Sequence, residues 1–360
     1  MMNNFSRIEN PGCEVSRNYP VNIKEEDKTL FAHEIYKVID PSHLAVAKQM
    51  GIMNLTIVNL HKFSFVTEYS TWKRKKYSLS LSGFKVMAKD FVEFCKLILS
   101  APLSLNSNFD LSKGFWIFDD CSQNYFHWFT DSMTRMYMGD EFIPKYPILI
   151  PEKFAKIRFI VDSLSCLGLQ TVVIKNDRFY RIKELILPSY TAMTGNYNPI
   201  YINEVREKLL NSCLSNSQTS KQSSLSNRSR RLWVSRKKAG RRYIQNEDSL
   251  LEILKKYNFE VVYAEDLTFY EQVNLFHQAS IIAGIHGAGL TNMMWMSSNQ
   301  TVIEIRESGD DKNNCYFALA SIMNHRYFYL LANYIPSKGS KRRGFYLEPS
   351  ELDELLHKIN

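Results

Sequence analysis

Residues 281–292 read IIAGIHGAGLTN, an apolar run that enters Gly284, His286, Gly287, Ala288 and Gly289 and passes into a stretch of helical character over 290–296. A strand that turns through glycines into a helix offers backbone N–H groups and a helix N-terminus to a phosphate. Glycine suits such a turn because a Cβ would hold the ligand away or forbid the bend. His286, between two glycines, adds a hydrogen-bond donor for a diphosphate. The spacing G-x-x-G-x-G departs from the dinucleotide fingerprint G-x-G-x-x-G, which weakens a nicotinamide reading in which Glu304 or Glu307 binds a ribose.

Working outward, short β-branched or aromatic runs flank this turn at 231–236 (RLWVSR), 259–264 (FEVVYA), 301–306 (TVIEIR) and 327–332 (YFYLLA), with helical stretches at 247–257, 268–278 and 314–324 between them. Strands alternating with helices predict a parallel sheet wrapped by helices. A second set precedes it: strands at 114–118, 146–151, 170–175 and 184–188, with helices over 124–138 and 153–167. Between the two sets, 211–231 (NSCLSNSQTSKQSSLSNRSRR) loses hydrophobic periodicity for about twenty residues and reads as a Ser-rich linker. The expectation is an α/β chain with domains at 1–210 and 232–360. The first 110 residues are less regular, with an antiparallel piece over 75–88 and a helix over 90–99.

Composition bounds the function. With 360 residues, 45% of them hydrophobic, the chain is neither a stapled mini-domain nor disordered. Lys and Arg exceed Asp and Glu by 45 − 37, a formal +8 that favours anionic partners. The six cysteines are scattered, and no charged start followed by an apolar stretch marks a secretory leader, so a reduced cytosolic setting is expected. No phosphate-loop, HExxH or GxSxG motif occurs; Asp119-Asp120 and Asp310-Asp311 are adjacent acidic pairs without a D-x-D triplet.

Two further segments carry chemistry. In 124–135 (NYFHWFTDSMTR), Asn124, His127, Asp131 and Arg135 recur on one helical face, an acid/base stripe beside apolar Phe126, Phe129 and Met133. In 233–247 (WVSRKKAGRRYIQNE), Ser235 and Arg236 end a strand, Lys237, Lys238, Arg241 and Arg242 follow, and Asn246 is the expected N-cap of the next helix. A cationic loop at the carboxyl end of a strand is where open α/β sheets bind anions, and the arginine fork suits a diphosphate.

These segments, taken with 279–296 (ASIIAGIHGAGLTNMMWM) and VIEIR in that order, resemble glycosyltransferase family 61 over roughly 114–332. The resemblance implies a GT-B architecture of two Rossmann-like domains facing a cleft, and inverting transfer from a nucleotide-sugar, UDP by preference. It implies acceptor binding in the first domain and donor binding in the second. The diphosphate falls to Arg236, Arg241 and the Gly284–Gly289 turn, with Ser235, Arg242, His286, Asn292 and Glu304 beside it; for Glu304, ribose binding and a buried structural carboxylate stand as alternatives. Asp131 and His127 are the candidate general bases, Asp131 ranked first, with Asn124 and Arg135 as further substrate contacts. Arginines and N–H groups that hold the leaving diphosphate make a divalent ion dispensable. The family's bacterial members, which build capsule or lipopolysaccharide, are the better match to a chain read as lacking an anchor. The implied acceptor is therefore a glycan or lipid-linked glycan at the cytoplasmic face, without nucleic acid. The basic stretches 73–76 (KRKK) and 338–343 (KGSKRR) suggest peripheral contact with an anionic membrane. The competing classes are a nicotinamide-dependent or sugar-nucleotide-modifying enzyme and a non-catalytic nucleotide-binding protein.

Overall fold

In the computed structural model, residues 5–60, 64–66, 110–215, 229–336 and 343–360 are described. The chain begins with β1 (Phe5–Asn10), the hairpin β2 (Cys13–Ser16) and β3 (Tyr36–Ile39), then β4 (Ser42–Met53), β5 (Thr56–Asn59) and β6 (Ser64–Phe65). Next come β7 (Leu111–Phe115) and helix α1, which joins Tyr125–His127, a π-helical turn over Trp128–Ser132, and Met133–Tyr137. The first unit closes with β8 (Ile148–Pro151), α2 (Arg158–Cys166), β9 (Thr171–Ile174) and β10 (Tyr180–Pro188). Its sheet runs β6-β5-β4-β10-β7-β8-β9 with β1 also on β4. The strands from β10 to β9 are parallel to their neighbours, whereas β4 is antiparallel to β10.

The second unit contains α3 (Pro199–Ser215), β11 (Arg230–Val234), β12 (Arg242–Ile244), α4 (Glu247–Lys256), β13 (Phe259–Val262), α5 (Phe269–His277) and β14 (Ala279–Ile285). A 3-10 helix over Ala288–Trp295, β15 (Thr301–Glu307), α6 (Cys315–Ile322), β16 (Arg326–Ile335), β17 (Arg343–Tyr346) and α7 (Pro349–Ile359) complete it. Local chemistry sets several of these boundaries. Thr268 and Glu271 form a reciprocal capping box that starts α5; α4 opens on Glu247 and Asp248 and closes on Lys255 and Lys256, each end matched to the helix dipole. The sheet order is β12-β17-β16-β15-β14-β11-β13, parallel from β13 through β16. Strand β15 is buried on both faces for six of its seven residues, which is why TVIEIRE reads as a continuous run rather than an alternation.

From β11 the chain crosses to β13 on one side, then returns to β14 on the other, so β11 and β14 are the pair at which the connections diverge. In the first unit β7 holds the same position, with β8 on one flank and β10 on the other. Crevices at the carboxyl ends of such strand pairs are where open α/β sheets bind ligands.

The mixed α/β class agrees with the sequence; several details differ. The compact units are Met1–Pro11 with Pro41–Thr191, and Gly12–Asp40 with Ala192–Asn360, so the chain passes between them after Pro11, Asp40 and Thr191. The stretch 211–231 therefore lies inside the second unit. Its first residues extend α3, which packs on α5, α6 and the 3-10 helix, and its last begin β11; residues 216–228 lie outside the described residues. The helix expected at 290–296 is a 3-10 helix starting at Ala288. The strands β1 to β5 were not anticipated, and the pieces expected at 75–88 and 90–99, like KRKK at 73–76, lie outside the described residues. Among the described residues no helix is long and apolar enough to cross a membrane.

Three side chains hold the carbonyl end of the 3-10 helix: His325 Nε2 donates to Met293 O at 3.0 Å, His277 Nδ1 to Trp295 O at 3.1 Å, and Arg206 to Met296 O at 2.7 Å. His325 Nδ1 is buried without a partner, and burial, reinforced by Arg206, pushes this imidazole down from its ordinary 6.5 to about 4. The unfolded chain then binds a proton that the folded chain refuses, so stability falls as pH drops from 6.5 towards 4, by roughly 3 kcal/mol for this group. Urea melts between pH 7 and 4.5 should show that slope. In His325→Gln it should be shallower, and an unchanged slope would remove His325 as its source.

Candidate functional site

The second unit's site is built at the carboxyl ends of β11 and β14. Gly284 lets these strands lie close: a Cβ there would stand 2.9 Å from Val234 O. Gly289 leaves room for Val234, whose Cγ1 would stand 2.6 Å from an added Cβ, and Gly287 leaves room for Arg236, whose Nη1 would stand 2.1 Å away. The turn therefore receives the guanidinium of Arg236 against backbone. Ala288 begins the 3-10 helix. Asn292 is fully buried and donates to Gln272 Oε1 (2.9 Å) and Gly289 O (3.1 Å), which pins the turn from below.

Around the turn, charge is unevenly paired. Lys237 and Lys238 form ion pairs with Asp248 and Asp266. Arg236, Arg241 and Arg242, by contrast, meet no carboxylate as a salt bridge among the described residues. Arg236 Nε donates to Arg242 O at 3.1 Å, and Arg242 Nε is buried with no partner. Burial and then the neighbouring Arg242 push the Arg236 guanidinium below its ordinary value, so this positive charge is held where it is costly. An anion relieves that cost.

His286 donates Nδ1–H to Glu304 Oε1 at 2.5 Å, because a carboxylate can only accept, and its ring lies edge-on to Tyr316 at 4.9 Å. Of the two alternatives for Glu304, the structure gives the buried carboxylate: no part of it is exposed, and Tyr327 donates to its other oxygen. Burial pushes Glu304 upward, but His286, Arg306 and Tyr327 outweigh it and hold the carboxyl below its usual range. Ser235 is also buried, and its hydroxyl donates to Glu247 Oε2 at 2.9 Å, while Trp233 donates to Glu247 Oε1 at 2.7 Å. Asn246 stands at the head of α4 without a side-chain cap bond; it bonds the backbone of Leu347 instead.

In the first unit, the expected polar stripe on α1 is divided between the surface and the core. Asn124 caps the helix, its Oδ1 accepting from Phe126 N at 2.9 Å. His127 Nδ1 donates to Asp131 Oδ2 at 2.9 Å; 26% of the His127 side chain is exposed against 4% of Asp131, so the imidazole faces solvent and the carboxylate stands behind it. Arg135 has no exposed surface. It donates to Pro188 O (3.2 Å) and Ile117 O (3.1 Å) and stacks on Tyr190 at 4.7 Å, an anchor of the sheet's carboxyl edge rather than a substrate contact. The π-helical turn shifts the register between His127 and Arg135, and π-bulges recur at functional sites.

A network beneath α1 adds residues outside the expected stripe. Asp119 accepts from Cys121 N (2.7 Å), Ser122 Oγ and Tyr190 OH, and Ser122 Oγ meets Ser132 Oγ at 2.9 Å, which ties the loop after β7 to the π turn. Asp119 belongs to the acidic pair noted in the sequence, but its partners, 71 residues away in the case of Tyr190, leave no local pattern.

Residues 125–303 match the family model of glycosyltransferase 61. The match takes in His127, Asp131, the Arg236–Arg242 loop and the glycine turn, and stops one residue short of Asn124 and Glu304. The chain is similar to EGF domain-specific O-linked N-acetylglucosamine transferases, with 35% identity over 89 residues to that of Drosophila melanogaster and 33% over 91 residues to those of Bos taurus and Mus musculus. Each alignment covers 24% of this chain and 17% of the relative, so the chain spans about a sixth of the length of the curated relatives it matches. The relatives are animal enzymes; the expected bacterial kinship is not what they show, whereas the family-level resemblance is.

The two glycines separate binding from stability. Gly287→Ala displaces the end of a flexible arginine and should weaken the affinity for pyrophosphate, used as an anion probe, about tenfold, with little change in Tm. Gly289→Ala drives a Cβ into buried Val234 and should cost roughly 1–3 kcal/mol of stability. Calorimetric titration with pyrophosphate and urea melts of both variants check this; a Gly287→Ala chain that binds pyrophosphate as the parent does would remove Arg236 from the anion site.

Proposed function

We propose that the chain is an inverting glycosyltransferase that moves a sugar from a UDP-sugar to an acceptor hydroxyl. The observation that carries this is the cationic turn: Arg236 against Gly287 and Arg242 with its buried Nε unpartnered, no carboxylate bridging either among the described residues, at the diverging strand pair and within the family match. The GT-B organisation expected from the sequence belongs to the same proposal.

In this mechanism His127 is the base and Asp131 its orienting carboxylate, the reverse of the ranking read from sequence. Asp131 holds the Nδ1 proton, which leaves Nε2 with a lone pair on the exposed side. Nε2 takes the acceptor O–H proton, the acceptor oxygen bonds to the anomeric carbon from the face opposite the leaving group, and the carbon–oxygen bond to the diphosphate breaks with its electron pair leaving on UDP. Arg236, Arg242 and the N–H groups of the turn hold the charge that develops there, without a divalent ion in the scheme. The acceptor proposed from the sequence is a surface glycan at the cytoplasmic face, the basic stretches contacting an anionic leaflet. A hydroxyl on a folded protein domain is the competing acceptor, favoured by the relatives' names.

The test begins with thermal shifts for UDP, GDP, CMP and NAD, each with and without manganese. A rise with UDP that does not need metal is expected; a response to NAD alone would overturn the proposal. His127→Ala and Asp131→Asn should each lower the rate of transfer roughly 100- to 10,000-fold while the UDP affinity stays near that of the parent. Transfer that survives in His127→Ala would return the base to Asp131 or to a residue elsewhere.

A further inference from the structure

Residues 12–40, which precede the family match, are built into the second unit and reach its glycine turn through a continuous set of contacts. Strand β16 has a free edge at its start, and Val21 and Asn22 cover it: Val21 N donates to Tyr327 O (2.9 Å), and Asn22 exchanges two hydrogen bonds with the backbone of Tyr329 (2.7 and 3.1 Å). Tyr329 OH in turn donates to Asp27 at 2.5 Å. Phe31, fully buried, packs its ring 5.1 Å from Phe317 and from Tyr329, and the Arg306 guanidinium lies over it at 4.7 Å. Leu30 O accepts from Asn314, whose Oδ1 accepts from Arg306 Nη1 at 2.6 Å.

His286 itself, then Arg306 and Tyr327, hold the Glu304 carboxyl below its usual range, and Glu304 in turn holds His286. Every member of this chain of contacts except His286 lies outside 125–303. We propose that Glu304 is a positioning residue for His286, and that residues 12–40, through Phe31 and Leu30, clamp Arg306 and Tyr327 around it. The buried carboxylate fixes the ring with a proton on Nδ1 and leaves Nε2, which takes up a second proton when an anion binds, as the donor to the nucleotide's diphosphate. The choice of ligand rests on the proposed function; the clamp does not.

Nitrogen-15 spectra of the His286 ring test the clamp without any nucleotide. In the parent chain Nδ1 should carry the proton, and in Glu304→Gln and Tyr327→Phe that preference should be lost or weakened. UDP affinity should fall about tenfold in Glu304→Gln, as for other groups that orient a binding side chain. In a His286→Ala background the same substitution should change UDP affinity less than twofold, because the group it orients is gone. Phe31→Leu, which keeps most of the packed volume, should shift the His286 ring signals in the same direction as Tyr327→Phe. Ring signals unchanged in Glu304→Gln, or an equal loss of affinity with and without His286, would overturn the proposal. A parent chain that binds no UDP would overturn the proposed function instead, and the ring spectra would still decide the clamp.

Discussion

The close approach of Gly284 to the Val234 carbonyl is the constraint on which the second unit's site depends. Two parallel strands whose onward connections diverge leave a gap at their carboxyl ends, and a side chain at 284 would force β11 and β14 apart just below it. With that spacing kept, Arg236 leaves β11 beside a turn that has no side chain at 287, and its guanidinium meets backbone. The fixed end of β11 also explains Ser235 and Trp233, which lock onto Glu247 and hold the head of α4 against the strand. Polar residues at this edge thus divide into those that hold the frame, such as Ser235 and Asn292, and those left with unspent charge, such as Arg236 and Arg242.

The first unit places its chemistry at the corresponding pair of strands, with a different solution to burial. Arg135 lies wholly inside, which is tolerable because backbone carbonyls, Asp119 at 3.8 Å and the face of Tyr190 surround it. Asp119 collects a backbone N–H, a serine and a tyrosine, so the loop leaving β7 is tied both to β10's continuation and to the π turn of α1. That framework leaves His127 at the surface with its acid partner at its back.

Much of this was legible in the sequence, and the parts that were not have physical reasons. The alternation from 231 to 332 gave the parallel sheet because buried strands and amphipathic helices differ in period, and the turn at 281–292 announced itself through its glycines. Strand β4 did not: SHLAVAKQMGIM is rich in residues that favour helices, and it is extended because β1 and β10 pair along it, with Gln49 in a left-handed conformation (φ 56°) at the point where β1 gives way to β5. Among site residues, helical spacing correctly grouped His127 with Asp131, but put Arg135 in the same company, since a uniform 3.6-residue period cannot foresee a π turn. Glu304 was ambiguous for a related reason: in a strand covered on both faces, alternation no longer says which side is wet.

The interweaving of residues 12–40 with β16 has a consequence for how the chain is made. Asn22 and Tyr329 are 307 residues apart in the sequence, yet each satisfies the other's backbone or amide groups. On a ribosome the first partner emerges long before the second, so the free edge of β16 and the pocket for Phe31 are filled only once the chain has been translated past Tyr329. Contacts of such separation are slow to form and expose apolar surface meanwhile. Nascent chains arrested before β16 should therefore engage chaperones through the early segment, and fragments that begin after residue 40 carry an uncovered strand edge from the moment they are released.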